Sequence, residues 1–391
     1  MSSITCHFWN VGQGLFSSGK VSLPNHKEFV WVYDCGSTNQ KYITTAVNNM
    51  KQTYQNDVID LLAISHFDKD HINGLSELLK GRKVKCWLLP YYPLWERLLI
   101  ALSLDFQLDS DEFRFCVNPA QFIIEQYASH FEDKSELLFV PTLNADQEIR
   151  FSENKETQSF SYQENKEFEN EWADISHNNI SIKLLDPTKP AIIQEVEFVP
   201  YNMPLANLQN QPNDIQQFQQ DVRAIINSQQ TIKQKTASLQ KLYDTDFKQR
   251  NAISLFLYIG KIDRSYQVSY FAEKFKGSPN NTDVSIIYHH YLYNKYGILY
   301  TGDGYLDTKQ ELKFLQKALG NSRIGNIFAF QVPHHGSKNN AYIGLAQDIC
   351  PVFSIFSARG SKHHPHASIF TDFMRHNPIL VNQDNGFYFS L

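Results

Sequence analysis

The stretch "AISHFDKDHINGL", residues 63–75, sets His66, Asp68, Asp70 and His71 within six positions, directly after the apolar run "VIDLLAIS". A near-continuous apolar run ending in polar residues reads as a strand buried on both faces, with its functional groups at the carboxyl end. In an extended or turning backbone, residues two apart project the same way. His66 and Asp68 can therefore face one metal ion, and Asp70 and His71, past the turn, a second. Imidazole with carboxylate suits borderline divalent ions such as zinc, manganese or iron. The bland alternative is a charged turn whose aspartates serve only as caps.

Two later segments weigh against the bland alternative. "GILYTGDG", residues 297–304, places Asp303 just after an apolar strand, inside a glycine turn. "FQVPHHGSKNN", residues 330–340, places His334 and His335 after another apolar strand, again followed by glycine. Three strand ends thus carry metal-type ligands, and such ends converge on one rim of a sheet sandwich. A fourth segment, "SARGSKHHPHASIF", adds His363, His364 and His366 around the stiff Pro365. His364 and His366 are candidates for an acid or a substrate contact. The competing reading is a solvent-exposed histidine cluster, which fits His363 best.

The rest of the chain frames these segments. Its 391 residues suffice for one large domain or two medium ones. With 42% hydrophobic and 14% aromatic residues a substantial core is expected and wholesale disorder is not. The net charge of −5 does not announce a nucleic-acid binder, although a local basic groove is compatible with it. Five scattered cysteines form no CxxC pair and read as buried free thiols in a reducing compartment. The N-terminus lacks the basic and apolar regions of a leader, and no apolar run reaches the roughly 20 residues of a membrane span. The expectation is a cytoplasmic protein with no membrane insertion.

"ITCHFWNVGQG" and "FVWVYDCGS" read as strands closed by glycine turns, and "NGLSELLKG" as a short helix closed by Gly81. Strand-like runs return after residue 251, among them "AISLFLYIG", "SYQVSYFA", "DVSIIYHHYLY" and "PVFSIFSAR", with the helix "TKQELKFLQKALG" between them. Residues 96–250 differ in style. Residues 151–180 are acidic and rich in Asn, Gln and Glu. Ile215, Phe218, Val222, Ile225, Ile232, Leu239 and Leu242 then recur at spacings of three, four and seven, with Asn213 as a cap. That spacing predicts an amphipathic helix over 214–243, which packs on the domain or offers a surface to a protein partner. The coarse expectation is one α/β domain interrupted by a mostly helical insert at 96–250.

The set "SHFDKDHINGL", "LYTGDG" and "VPHHGSKNN", with "NVGQG" near the start, resembles the metallo-β-lactamase fold, and more narrowly the hydrolase domain of ComEC-type competence proteins. The family's first motif is His-x-His-x-Asp-His, and this branch has Asp at the third position, here Asp68. "FWNVGQG" is similar to the branch's Phe-Leu-Asp-Val-Gly-Gln-Gly, with Asn10 where Asp is usual, and "HHPHAS" resembles its His-Pro-His element. The match covers roughly residues 4–90 and 250–391. The resemblance implies an αββα sandwich with a two-metal site at one edge of the sheets, and the divalent ions expected there are zinc, with manganese as the alternative. His66 and Asp68 would hold one ion, Asp70 and His71 the other. Asp303 would bridge, and His334 or His335 would complete the set. The resemblance gives no clear equivalent of the family's separate mid-chain histidine, and a second histidine of "HH" or one of "HHPH" could take that role for the first ion.

The function expected from this set is metal-dependent hydrolysis, with a phosphodiester of DNA or RNA as the leading substrate. Asp70 and Asp303 would orient a water, a histidine at 334, 335, 364 or 366 would protonate the leaving group, and Lys338 and Arg359 could hold a phosphate. Rival readings are hydrolysis of a smaller ester (a cyclic nucleotide, a phosphorylcholine-type ester or a lactone) and an effector module held by a partner through residues 96–250. The membrane helices of ComEC-type proteins are missing here, so a DNA-import role is not carried over.

Overall fold

The computed structural model describes residues 3–24, 27–103, 109–143, 147–152, 156–175, 177, 179–204, single positions between 217 and 242, and residues 254–262, 270–276, 285–287, 295–360 and 363–391. The strands are β1 (Ile4–Phe8), β2 (Phe16–Ser22), β3 (Glu28–Cys35), β4 (Val58–Ala63), β5 (Lys83–Pro90), β6 (Phe131–Val140), β7 (Ile180–Leu184), β8 (Ala191–Ile193) and β9 (Val196–Asn202). They continue with β10 (Leu255–Lys261), β11 (Phe271–Lys276), β12 (Ser285–Ile287), β13 (Gly297–Tyr300), β14 (Ile327–Gln331), β15 (Phe353–Ser357), β16 (Pro378–Val381) and β17 (Asn385–Ser390). One sheet runs β12-β11-β17-β1-β2-β3-β4-β5-β6-β7, the other β16-β15-β14-β13-β10-β9-β8.

Strand periodicity explains how the sheets stack. Ile4, Cys6 and Phe8 of β1 and Trp31 and Tyr33 of β3 meet Leu255, Leu257, Ile259, Ile298 and Tyr300 in one buried cluster between the sheets. The alternate residues face outward. Val30, Val32 and Leu62 pack on Ile43, Ala46, Val47 and Met50 of helix α1 (Gln40–Thr53) and on Leu75, Leu78 and Leu79 of a later short helix. On the other side Phe256, Tyr258, Leu299 and Phe330 pack on Leu312, Leu315 and Leu319 of the helix Lys309–Leu319, which a Thr308–Glu311 capping box starts. The result is the αββα sandwich expected from the sequence.

Residues 96–250 carry helices and also strands that belong to this frame. β6 and β7 extend the first sheet in parallel, and β9 pairs antiparallel with β10 in the second. In β6, Leu137 and Phe139 enter the outer cluster while Leu138 and Val140 enter the inter-sheet one, so both faces are buried. The buried Arg323 joins this segment to the second sheet. It forks onto Glu197 of β9 at 3.0 and 2.7 Å and donates to the carbonyls of Ile149, Leu319 and Arg150, which uses all five of its N–H groups. Removing one partner of such a pair costs about 3–5 kcal/mol. Of the expected helix over 214–243, positions 217, 220, 221, 224, 225, 234, 235, 237, 238, 241 and 242 are helical and 228 and 229 are bends. Its other positions lie outside the described residues, as do 265–269 and 288–293 of two expected strands. Within 151–180, Phe168 and Trp172 are buried against Phe139. All five cysteines are free; Cys6, Cys35 and Cys116 are buried and Cys86 is half-buried, but Cys350, at the end of a short helix, is exposed, contrary to the expectation of a buried thiol. No helix among the described residues is long and apolar enough to cross a membrane.

His7 on β1 is buried, stacked on Trp9 and hydrogen-bonded through Nδ1 to the Tyr54 hydroxyl at 2.7 Å. Burial, with a smaller contribution from Lys20, pushes its pKa down to about 3. An unfolded chain protonates this histidine near pH 6.5. Below that pH the unfolded state binds more protons than the folded one, so stability falls as pH falls, by up to ~1.4 kcal/mol per pH unit. Urea midpoints measured from pH 6.5 to 4 will drop more steeply for the native sequence than for His7→Gln. Parallel slopes would show that His7 does not carry this linkage.

Candidate metal centre

Strands β3 to β7 run parallel, as do β13 to β16, so the carboxyl ends of each set share an edge of their own sheet, and contacts of Asp303, beyond β13, with His66 and His71, beyond β4, bring the two edges together. Beyond β4 the chain passes His66 and enters α2 (Lys69–Ile72), with Asp68 at the N-cap position. Asp68 makes no capping hydrogen bond with its side chain. The bland reading of the aspartates as caps therefore fails at that residue. Beyond β13 comes Asp303, and beyond β14 come His334 and His335, both with left-handed backbone (φ 45 and 57°). Consecutive non-glycine residues in that region are strained and need a surrounding structure that fixes them.

Asp303 sits at the middle. Its Oδ2 lies 3.7 Å from His66 Nε2 and 3.5 Å from His334 Nε2, and its Oδ1 lies 3.2 Å from His71 Nε2 and 3.6 Å from His335 Nε2. Asp68 Oδ2 is 3.7 Å from His66 Nε2. Asp70 reaches His335 Nε2 at 3.4 Å and His71 Nε2 at 4.0 Å. The two oxygens of Asp303 thus divide the side chains into one group of His66, Asp68 and His334 and another of Asp70, His71 and His335. Ligand atoms of Asp70, His71 and His335 lie within 4.8 Å of one another, and so do those of His66, His71 and Asp303.

The atoms turned inward have no hydrogen-bond partner. Nε2 of His66, His71 and His335 and Oδ1 of Asp68 and Asp303 are buried without one. A buried polar group left so costs about 1–3 kcal/mol. Imidazole nitrogen and carboxylate oxygen are the donors that divalent cations take, and the set fits them.

The outward nitrogens are all held, and their partners fix the tautomers. Asp34 accepts from His71 Nδ1 at 2.8 Å and from the Ser65 hydroxyl at 2.6 Å. With its hydrogen given to Asp34, Ser65 Oγ can only accept from His66 Nδ1, 2.8 Å away. His335 Nδ1 donates to the Ser357 carbonyl at 2.6 Å, and His334 Nδ1 faces Asn340 Oδ1 at 2.9 Å. Each ring therefore carries hydrogen on Nδ1 and turns Nε2 toward the centre.

The charges are strongly coupled. Burial opposes ionisation of Asp303, but the facing His334, His335 and His71 hold its pKa well below the usual range. Burial opposes ionisation of Asp70 too, and His335 and His71 bring its pKa to about 2. Asp68 goes the other way, pushed up to about 7 by burial and by Asp70 and Asp303. Burial and His71 push His66 down to about 3. His71 and His335 are raised despite burial, chiefly by Asp303 with Asp34 or Asp70. A bound cation takes the place of such a proton.

The sequence reading missed Asp34, Ser65, Ser357, Asn340, Gln331 and Ser254. Gln331 accepts from the backbone of Thr301 and Gly302 at 2.8 and 2.7 Å, and the Ser254 hydroxyl accepts from Asp303 N at 3.1 Å. The glycine of "DCGS" and the second of "NVGQG" act by absence of a side chain. A Cβ on Gly36 would stand 2.3 Å from the Asp70 carbonyl carbon, and one on Gly14 would stand 2.7 Å from the Asp70 oxygen. Leu15 N donates to that oxygen at 3.1 Å, so both turns layer directly on the loop that carries His66 to His71.

The remaining candidates divide. His364 is half-buried and stacks on His334 at 5.5 Å, beside His335. Burial, His335 and His334 lower its pKa to about 4. His366 is half-buried: its amide donates to the Gly336 carbonyl at 2.9 Å, next to His335, and its Nδ1 accepts from Ser368 at the start of the helix Ala367–Asp372. His363, Lys338 and Arg359 are exposed.

No family model matches this chain, and no curated protein does. Among solved structures it is similar to the metallo-beta-lactamase fold protein YhfI from Bacillus subtilis, at 8% identity over 99% of this chain and 100% of that one, with a TM-score of 0.40. It is similar also to a long form RNase Z from yeast, at 9% identity and a TM-score of 0.35, over 98% of this chain and 41% of that one. Both scores are low, and the architecture stands on the sheets and layers themselves.

Asp34 sets the orientation of one histidine directly and of another through Ser65. Asp34→Ala is expected to weaken uptake of Zn²⁺ or Mn²⁺ by roughly 10- to 100-fold, measured by competition with a chelator. Unchanged affinity in a folded variant would contradict this role.

Proposed function

We propose that this chain is a metal-dependent hydrolase of the ComEC-type branch that cleaves phosphodiesters of DNA or RNA. The observation that carries the reading is the Asp303 carboxylate with histidine nitrogens facing each oxygen, 3.2–3.7 Å away on both sides. That division suits two ions, zinc or manganese: His66, Asp68 and His334 would hold one, Asp70, His71 and His335 the other, and Asp303 would touch both. Two such ions supply charge to clamp the oxygens of an ester in displacement and to lower the pKa of an attacking water.

The chain's own groups do the rest. Asp70 and Asp303, both held ionised, fix the sense of the site toward cations and orient a water by accepting its hydrogens. His364, neutral and stacked on His334, is placed at the partly exposed side of the cluster, where it can exchange a proton with a substrate oxygen. Lys338 and Arg359, exposed on the segments that carry His335 and Ser357, offer N–H donors to a backbone phosphate.

The test is a panel of single- and double-stranded DNA and RNA, bis-p-nitrophenyl phosphate and a lactone, each with Mn²⁺ or Zn²⁺. Phosphodiester cleavage that is abolished by a chelator and lowered at least 10²-fold in Asp70→Ala is expected. Cleavage of the lactone alone would replace this reading by small-ester hydrolysis. Equal cleavage by the variant would sink it.

A further inference from the structure

One buried side chain, Asn340, touches both His334 and the turn that carries Asp303. Its Nδ2 donates to the Asp303 carbonyl at 2.9 Å and to the Gly304 carbonyl at 3.4 Å. Carbonyl oxygens only accept, so the amide cannot be turned the other way round. Its Oδ1 is then the atom 2.9 Å from His334 Nδ1. An amide oxygen also only accepts, so Nδ1 carries the hydrogen. Nε2 is left as the lone-pair nitrogen, and it is Nε2 that lies 3.5 Å from Asp303 Oδ2.

His334 needs this help more than its neighbours do. The His66, His71 and His335 side chains are 3, 0 and 2% exposed, whereas that of His334 is 25% exposed. A neutral imidazole in contact with water favours hydrogen on Nε2, the wrong tautomer for a ligand. We propose that Asn340 is the positioning residue for the third ligand of the first metal ion: it selects the Nδ1–H tautomer of His334 and ties that ring to the Asp303 turn. The proposal rests on the two-metal reading. It links "HHGSKNN" into one device, in which the last asparagine of the motif sets the first histidine across a left-handed turn.

Two variants separate this role from a merely structural one. Asn340→Ala removes the acceptor and the donor, whereas Asn340→Asp keeps an acceptor for Nδ1–H and loses the donation to the 303–304 turn. In metal-free protein labelled with ¹⁵N-histidine, long-range ¹H–¹⁵N spectra will show His334 as Nδ1–H in the native sequence and in Asn340→Asp, and shifted toward Nε2–H in Asn340→Ala. The His334 signal is assigned by its loss in His334→Gln. In Co²⁺ titrations followed by visible absorption, the native chain and Asn340→Asp will take two equivalents. Asn340→Ala will keep one step unchanged and lose roughly 10- to 100-fold in the other. An unchanged tautomer with both steps intact in Asn340→Ala overturns the proposal. So does an equal loss in Asn340→Asp, which would assign the effect to the turn. A native chain that takes up fewer than two equivalents overturns the two-metal reading instead, and the tautomer spectra then decide alone whether Asn340 sets His334.

Discussion

A carboxylate that is 2% exposed and yet ionised is the constraint on which the rim of this sandwich depends. Asp303 loses its water on folding, and an isolated buried charge costs several kcal/mol. It stays ionised because the charges of His334, His335 and His71 oppose the effect of burial, and these rings keep their places because Asp34, Ser65, Ser357 and Asn340 hold the far side of the four that surround it. Gln331 and Ser254 hold the Asp303 turn itself. The centre is therefore not a loop decoration. Strands of both sheets end in it, and the Leu255 amide of β10 donates to the Ser65 carbonyl at 2.8 Å, joining the two halves beside it.

The residues that converge were legible because each follows an apolar strand in a short polar turn. Strand ends on one side of a parallel sheet share a rim, and the parallel pairings of β3 to β7 and β13 to β16 supply that rim. The hydrogen-bond partners of these side chains were not legible. Asp34 is 31 positions from Ser65 and 37 from His71, and hydrogen bonds across such distances leave no local pattern. One signal was available in "YDCGS": an aspartate at the end of a run as apolar as "FVWVY" is buried, and a buried carboxylate needs a partner. The question of His334 against His335 was also beyond local spacing. Neighbours in a chain normally diverge, and only the left-handed backbone at both residues lets them face the two sides of one carboxylate.

The strands within residues 96–250 were hidden for a different reason. The segment's Asn-, Gln- and Glu-rich passages set its style and hid the alternation in "ELLFV" and "VEFVPY", whose side chains enter clusters on both faces of a sheet. Composition averaged over 155 positions cannot resolve a strand of seven. The bidentate Arg323–Glu197 pair makes the consequence physical, because it fastens that segment to a helix and a sheet of the C-terminal half.

Anomalous diffraction from crystals grown with Zn²⁺ or Mn²⁺ tests the central claim most directly. Two peaks about 3.5–4 Å apart, one between His66 and His334 and the other between His71 and His335, with the Asp303 carboxylate between them, are the predicted result. A single peak, or two peaks that leave Asp303 unligated, would contradict it.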